Sequence, residues 1–109
     1  MTTFDERERA FENKFKTDEE VRFKVAARRD RLLGLWAAEQ MGKSGREAEA
    51  YASDLISVDV EKTGDEEVVQ KVADDLRTAG KAIAAHTIRA RMHDFQETAK
   101  KQIMTEVRH

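Results

Sequence analysis

The chain has 109 residues, no cysteine and no proline, with 39% charged and 39% hydrophobic residues and a formal net charge of −2. That length holds one domain, or one domain with an arm, and the missing thiols exclude disulfides and thiolate metal sites while fitting a reducing, cytoplasmic setting. Helix formers dominate and no stretch sustains a period-two alternation, so the expected class is all-α.

The first predicted helix covers residues 4–16. Phe4, Phe11 and Phe15 are spaced by seven and four, which places all three rings on one helical stripe. Asp5, Glu6, Arg7, Glu8, Arg9, Glu12, Lys14 and Lys16 carry charge around the other sides, and Thr3 with Glu6 fits a capping box. Ordering a residue costs about 1–2 kcal/mol in backbone entropy, while burying a Phe side chain returns about 1.5–3 kcal/mol. An isolated helix this short is marginal in water. Residues 1–17 therefore read as an amphipathic arm that is partly disordered when free and folds when it docks. The competing expectation is that the arm packs back on the rest of the chain as an ordinary helix.

Four further helices are predicted near 18–41, 46–62, 65–79 and 84–106. Thr17 with Glu20 and Ser44 with Glu47 repeat the capping-box pattern. Asp65 suits an N-cap after Gly64, and Gly42 and Gly80 suit the left-handed position that closes a helix. Ala48, Tyr51, Ala52, Leu55 and Ile56 form one apolar face, as do Val68, Val69, Val72, Ala73 and Leu76, and then Ile88, Met92, Phe95, Ala99 and Ile103. The second helix begins charged and turns apolar at Leu32–Ala38, so only its C-terminal half is expected to be fully central, with Trp36 as the core anchor. Residues 18–109 thus read as a small four-helix bundle carrying the N-terminal arm.

The charge lies in blocks: net −3 over residues 1–20, +4 over 21–31, −7 over 32–76 and +4 over 77–109. Complementary solvated helix faces account for such blocks, and nucleic-acid binding would need an uncompensated basic face. The apolar run Leu32–Ala38 is far too short to span a bilayer. There is no signal-peptide pattern, and the acidic arm would be repelled by anionic lipid, so no direct membrane insertion is expected.

No catalytic constellation emerges. Gly42-Lys43-Ser44 ends like a P-loop, but position 37 is Ala where that motif needs Gly, and a helix rather than a strand precedes it. His86 and His93 stand about 10 Å apart along one helix, too far to share a metal ion. The acids lie on predicted exposed faces without an acid–base pairing. Neither an enzyme nor a metal site is expected.

Thr3-Phe4-Asp5-Glu6-Arg7-Glu8-Arg9-Ala10-Phe11-Glu12-Asn13-Lys14-Phe15 with Asp18-Glu19-Glu20 resembles the N-terminus of the zeta subunit of alphaproteobacterial rotary ATP synthases. Arg28-Arg29, Leu32-Leu33-Gly34-Leu35-Trp36-Ala37-Ala38-Glu39, Gly42-Lys43 and Ala48-Glu49-Ala50-Tyr51 are similar to that family's central block. Ala84-Ala85-His86 departs from it, where a capping residue and acids are usual. The resemblance implies an inhibitor of ATP hydrolysis whose N-terminal segment enters an alpha/beta catalytic interface of the synthase head and reaches toward the gamma subunit. Phe4, Phe11 and Phe15 would then be anchors, and Asp5, Glu6, Arg7, Glu8, Arg9, Glu12 and Lys14 polar contacts. The resemblance also links the bundle to ADP or ATP, without assigning residues, and no cofactor is required. The alternative from another class is a helical adaptor that binds partners through the bundle.

Overall fold

The computed structural model describes the backbone of residues 3–61 and 64–106 and the side chains of residues 5–59 and 64–106. Among these, every regular element is a helix: α1 (Thr3–Thr17), α2 (Glu19–Gln40), α3 (Gly45–Glu61), α4 (Asp65–Thr78) and α5 (Ala85–Glu106). The predicted bounds agree to within a residue or two. None of the described helices is long and apolar enough to cross a membrane.

The helix ends follow local chemistry, with two corrections. Gly42 (φ 79°) and Gly80 (φ 80°) close α2 and α4 in the left-handed conformation. At each end the next two amides fold back on the helix: Gly42 N–H donates to Glu39 O and Lys43 N–H to Ala38 O, while Gly80 and Lys81 donate to Arg77 O and Leu76 O. The expected Thr17 cap is displaced by its neighbour. Asp18, in an extended conformation, accepts from the amides of Glu20 (2.9 Å) and Val21 (3.3 Å). Thr17 instead donates its hydroxyl to Asn13 O within α1. Asp65 is likewise not a cap; Gly64 holds that position, and the Asp65 carboxylate turns to the guanidinium of Arg29 because a charged donor attracts it more strongly than a neutral amide. The proposed Thr3 cap lies outside the described side chains.

The molecule is elongated, 49 × 26 × 24 Å, and α2 runs along it with two apolar clusters. The larger joins Leu33, Ala37 and Ala38 of α2 to Tyr51 and Leu55 of α3, the Val68–Leu76 face of α4, and Ile88 and Met92 of α5. Gly34 lets α3 come close: a Cβ there would stand 2.7 Å from Ala52 Cα. The smaller cluster joins Phe11 of α1, Val21 and Val25 of α2, and Ala99 and Ile103 of α5.

Two expectations about α2 are corrected. Trp36 is only partly buried at the margin of the larger cluster, with Arg91 5.3 Å from its ring centroid; Leu33, Ala37 and Ala38 hold the centre instead. The charged N-terminal half is central too, because Val21, Val25, Arg29 and Asp30 all lie on its buried side. The surface charge blocks do pair between helices, Arg28 with Glu106, Arg31 with Glu49 and Arg89 with Glu66.

Candidate functional site

The arm is helical, and α2 and α5 supply the surface it seemed to lack. Phe11 is 5% exposed, packed among Val21, Val25, Ala99 and Ile103. Phe15, four residues on, is half-buried at the edge of the same cluster. Lys100 of α5 closes the seam: its ammonium lies 4.4 Å from the Phe15 ring centroid and 3.3 Å from the Glu12 carboxylate. This is the fold-back arrangement, and its physical cause is the apolar stripe of α5 continuing past Met92 to Ala99 and Ile103.

Of the ten candidate residues, the structure gathers three in this seam: Phe11, Glu12 and Phe15. Asp5, Glu6, Arg7, Glu8, Arg9 and Lys14 are exposed, with Glu8 at the rim of a small cavity that Phe11, Glu12 and Lys100 also line. Phe4 belongs to α1, but its side chain lies outside the described residues. One non-helical residue, Asp18 (φ −105°, ψ 110°), separates α1 from α2. The two helices therefore meet at a single-residue corner, closed by the Asp18 N–H bond to Lys14 O at 2.7 Å.

Lys100 carried no signal in the sequence. One lysine beside an apolar stripe matches many others until α1 is seen across from it. The P-loop resemblance ends in a capping turn, since the Gly42 and Lys43 amides are spent on helix carbonyls. His86 and His93 are exposed, and no cluster of three or more potential ligands occurs among the described residues.

The sequence reading also missed a buried charge cluster between the two apolar clusters. Arg29 is 3% exposed and Asp30 fully buried. The Arg29 guanidinium donates from Nε to Asp30 Oδ1 (3.0 Å), from Nη1 to Gln96 (3.0 Å), and from Nη2 to Asp59 (3.3 Å) and Asp65 (3.2 Å). One cation thus ties together α2, α3, α4 and α5. Burial lowers the Arg29 pKa, but its three carboxylates outweigh that and hold it above its ordinary value.

The profile of ATPase inhibitor subunit zeta matches residues 1–102, so it takes in the arm, the α2 block and most of α5. The chain belongs to the ATPase inhibitor subunit zeta family. It is a regulator and not an enzyme, and membership suggests a role as an inhibitor at the ATP synthase. The fold is similar to that of a protein solved by solution NMR, which is 42% identical, with a TM-score of 0.67 over 78% of this chain and 96% of that one. No curated protein matches the chain.

Proposed function

We propose that this protein inhibits ATP hydrolysis by the cytoplasmic head of the rotary ATP synthase, with α1 as a wedge that enters an alpha/beta catalytic interface and reaches toward the gamma subunit. The observation that carries the reading is the family match across residues 1–102, which includes the whole of α1. Phe11 and Phe15 serve as apolar anchors with Phe4, and Asp5, Glu6, Arg7, Glu8, Arg9, Glu12 and Lys14 set the register through charge.

Phe11 and Phe15 cannot face the bundle and a partner at once, so the wedge acts after α1 leaves its seam. The seam is narrow: Phe11 is its one fully covered α1 side chain among the described residues. Re-exposing one Phe costs about 1.5–3 kcal/mol, within the reach of a partner interface that buries the same ring. Asp18 supplies the hinge, because helical dihedrals at that one residue would join α1 and α2 into a single rod. In this reading no cofactor is required, and an effect of ADP or ATP on inhibition is open to the same assay.

The test is to add the full-length protein to the purified catalytic head and follow ATP hydrolysis. Inhibition is expected, and Phe11→Ala with Phe15→Ala should relieve it. A second arm uses Glu12→Cys and Lys100→Cys joined by a short bis-maleimide, which holds α1 on α5. Full inhibition by the cross-linked protein would rule out release of the arm; no inhibition by the unmodified chain would overturn the reading altogether.

A further inference from the structure

The Arg29 cluster holds three carboxylates, from Asp30, Asp59 and Asp65, around a single guanidinium. Of these, Asp30 is wholly removed from water. Its Oδ1 accepts from Arg29 Nε, whereas its Oδ2 is buried with no donor to satisfy it. An unsatisfied buried carboxylate oxygen costs far more than an unsatisfied surface one. Asp59 accepts from the same Arg29 guanidinium as Asp30, and both residues line one small cavity walled by Phe23, Ala26, Ala27 and Ile56. Two carboxylates facing each other between apolar walls cannot both ionise cheaply. A proton on Asp30 resolves both problems at once, since the hydroxyl then donates to Asp59.

We propose that Asp30 and Asp59 share one proton at neutral pH, and that this proton is a latch joining α2 to the end of α3, released under alkaline conditions. The other charged and titratable groups facing the cluster are Arg29 on α2, Asp65 and Glu66 on α4, and Arg89 and His93 on α5, with Gln96 as a neutral neighbour. Glu66 and Arg89 neutralise each other in a two-bond pair. Arg29 divides its donors among three acids and Gln96 and cannot fully compensate the charges of Asp30 and Asp59 together.

Burial, then the bond to Asp59, push the Asp30 carboxyl up to about 8, with Arg29 opposing the shift. The folded pKa lies above the unfolded one, so between them the folded chain holds the extra proton. The stabilisation is complete below the ordinary carboxylate range, declines as pH rises, and is gone once pH passes the folded value. Deprotonation leaves two facing carboxylates between α2 and α3, and the joint loosens.

The test combines a carboxyl titration with variants, and it reads no inhibition, so its outcome is independent of the role proposed above. In full-length protein labelled with ¹³C at Asp carboxyls, the Asp30 signal is expected to titrate in the mildly alkaline range. The melting temperature should fall by about 5 °C or more per pH unit from pH 6 to 8. Asp30→Asn keeps the donor and removes the titration, so it should fold, match or exceed the parent at pH 8.5, and lose most of that slope. Asp59→Asn should also flatten it. An Asp30 signal that titrates near the ordinary carboxylate value, or an unchanged slope in Asp30→Asn, overturns the proposal. Should Asp30→Asn fail to fold, the carboxyl titration of the parent protein alone decides.

Discussion

The ammonium of Lys100 lies 4.4 Å from the centroid of the Phe15 ring, so a residue of α5 holds down a residue of α1. The same ammonium pairs with Glu12. Lys100→Ala should therefore weaken docking of α1 by about 1 kcal/mol, the sum of a modest cation–π contact and a partly exposed ion pair. Phe11→Ala removes a nearly covered ring and should cost about 3 kcal/mol. In both variants, amide exchange should quicken first within residues 5–17, while α3 and α4 keep their protection. Uniform acceleration across all helices would contradict a separately docked arm.

Asp18 makes the corner between α1 and α2 by capping α2 in an extended conformation. Asp18→Ala removes that cap, at a cost of about 1 kcal/mol, and puts a strong helix former at the corner. The balance should move toward a continuous α1–α2 rod. The expected result is a larger radius of gyration in solution scattering and, where α1 acts as the wedge, inhibition at lower protein concentration.

At Gly34, α2 comes close to the backbone of α3. Gly34→Ala raises helix propensity by about 1 kcal/mol, yet its methyl would meet the backbone Cα of Ala52 at 2.7 Å, which cannot yield as a side-chain tip does. Overpacking of about 1–3 kcal/mol should prevail. Urea unfolding should show a lower midpoint, and Gly34→Val a lower one still.

Tyr51 donates its hydroxyl to Asp75 Oδ2 at 2.8 Å, where Lys71 also donates, and so fastens α3 to α4. Burial and the Asp75 carboxylate raise the phenol's pKa, so it stays a donor through the alkaline range. Tyr51→Phe should cost about 1–2 kcal/mol in urea unfolding without altering helix content by circular dichroism.

Arg29→Met leaves Asp30, Asp59 and Asp65 without their shared cation. A loss of about 3–5 kcal/mol is expected in urea unfolding. Arg29 is what opposes the upward shift of the Asp30 carboxyl, so its removal raises that pKa further. The decline of stability with pH should then extend to more alkaline values than in the parent.

The helices were legible because their signals are local. Gly42 and Gly80 end α2 and α4 through their own dihedrals, and the stripes of α3, α4 and α5 follow the helical period. The arm was legible as a stripe with the wrong surroundings: Phe11 and Phe15 were read as lacking a surface because the α5 stripe at Ala99 and Ile103 lies nearly ninety residues away in sequence. Asp65 and Thr17 fit capping patterns that other residues filled, since a cap is decided by competition among nearby donors and acceptors. Phe4, named with the other two rings, lies outside the described side chains.

By itself the sequence determined an all-α chain, the extents of its helices and, through two family-like blocks, its membership of the zeta family; each depends on neighbours within a few turns. The tertiary structure decided that Trp36 sits at a margin, that α1 lies under Lys100, and that Arg29 and Asp30 are buried at the waist. Those outcomes depend on which distant helices become neighbours, and a charge is solvated or buried only once that neighbour is in place.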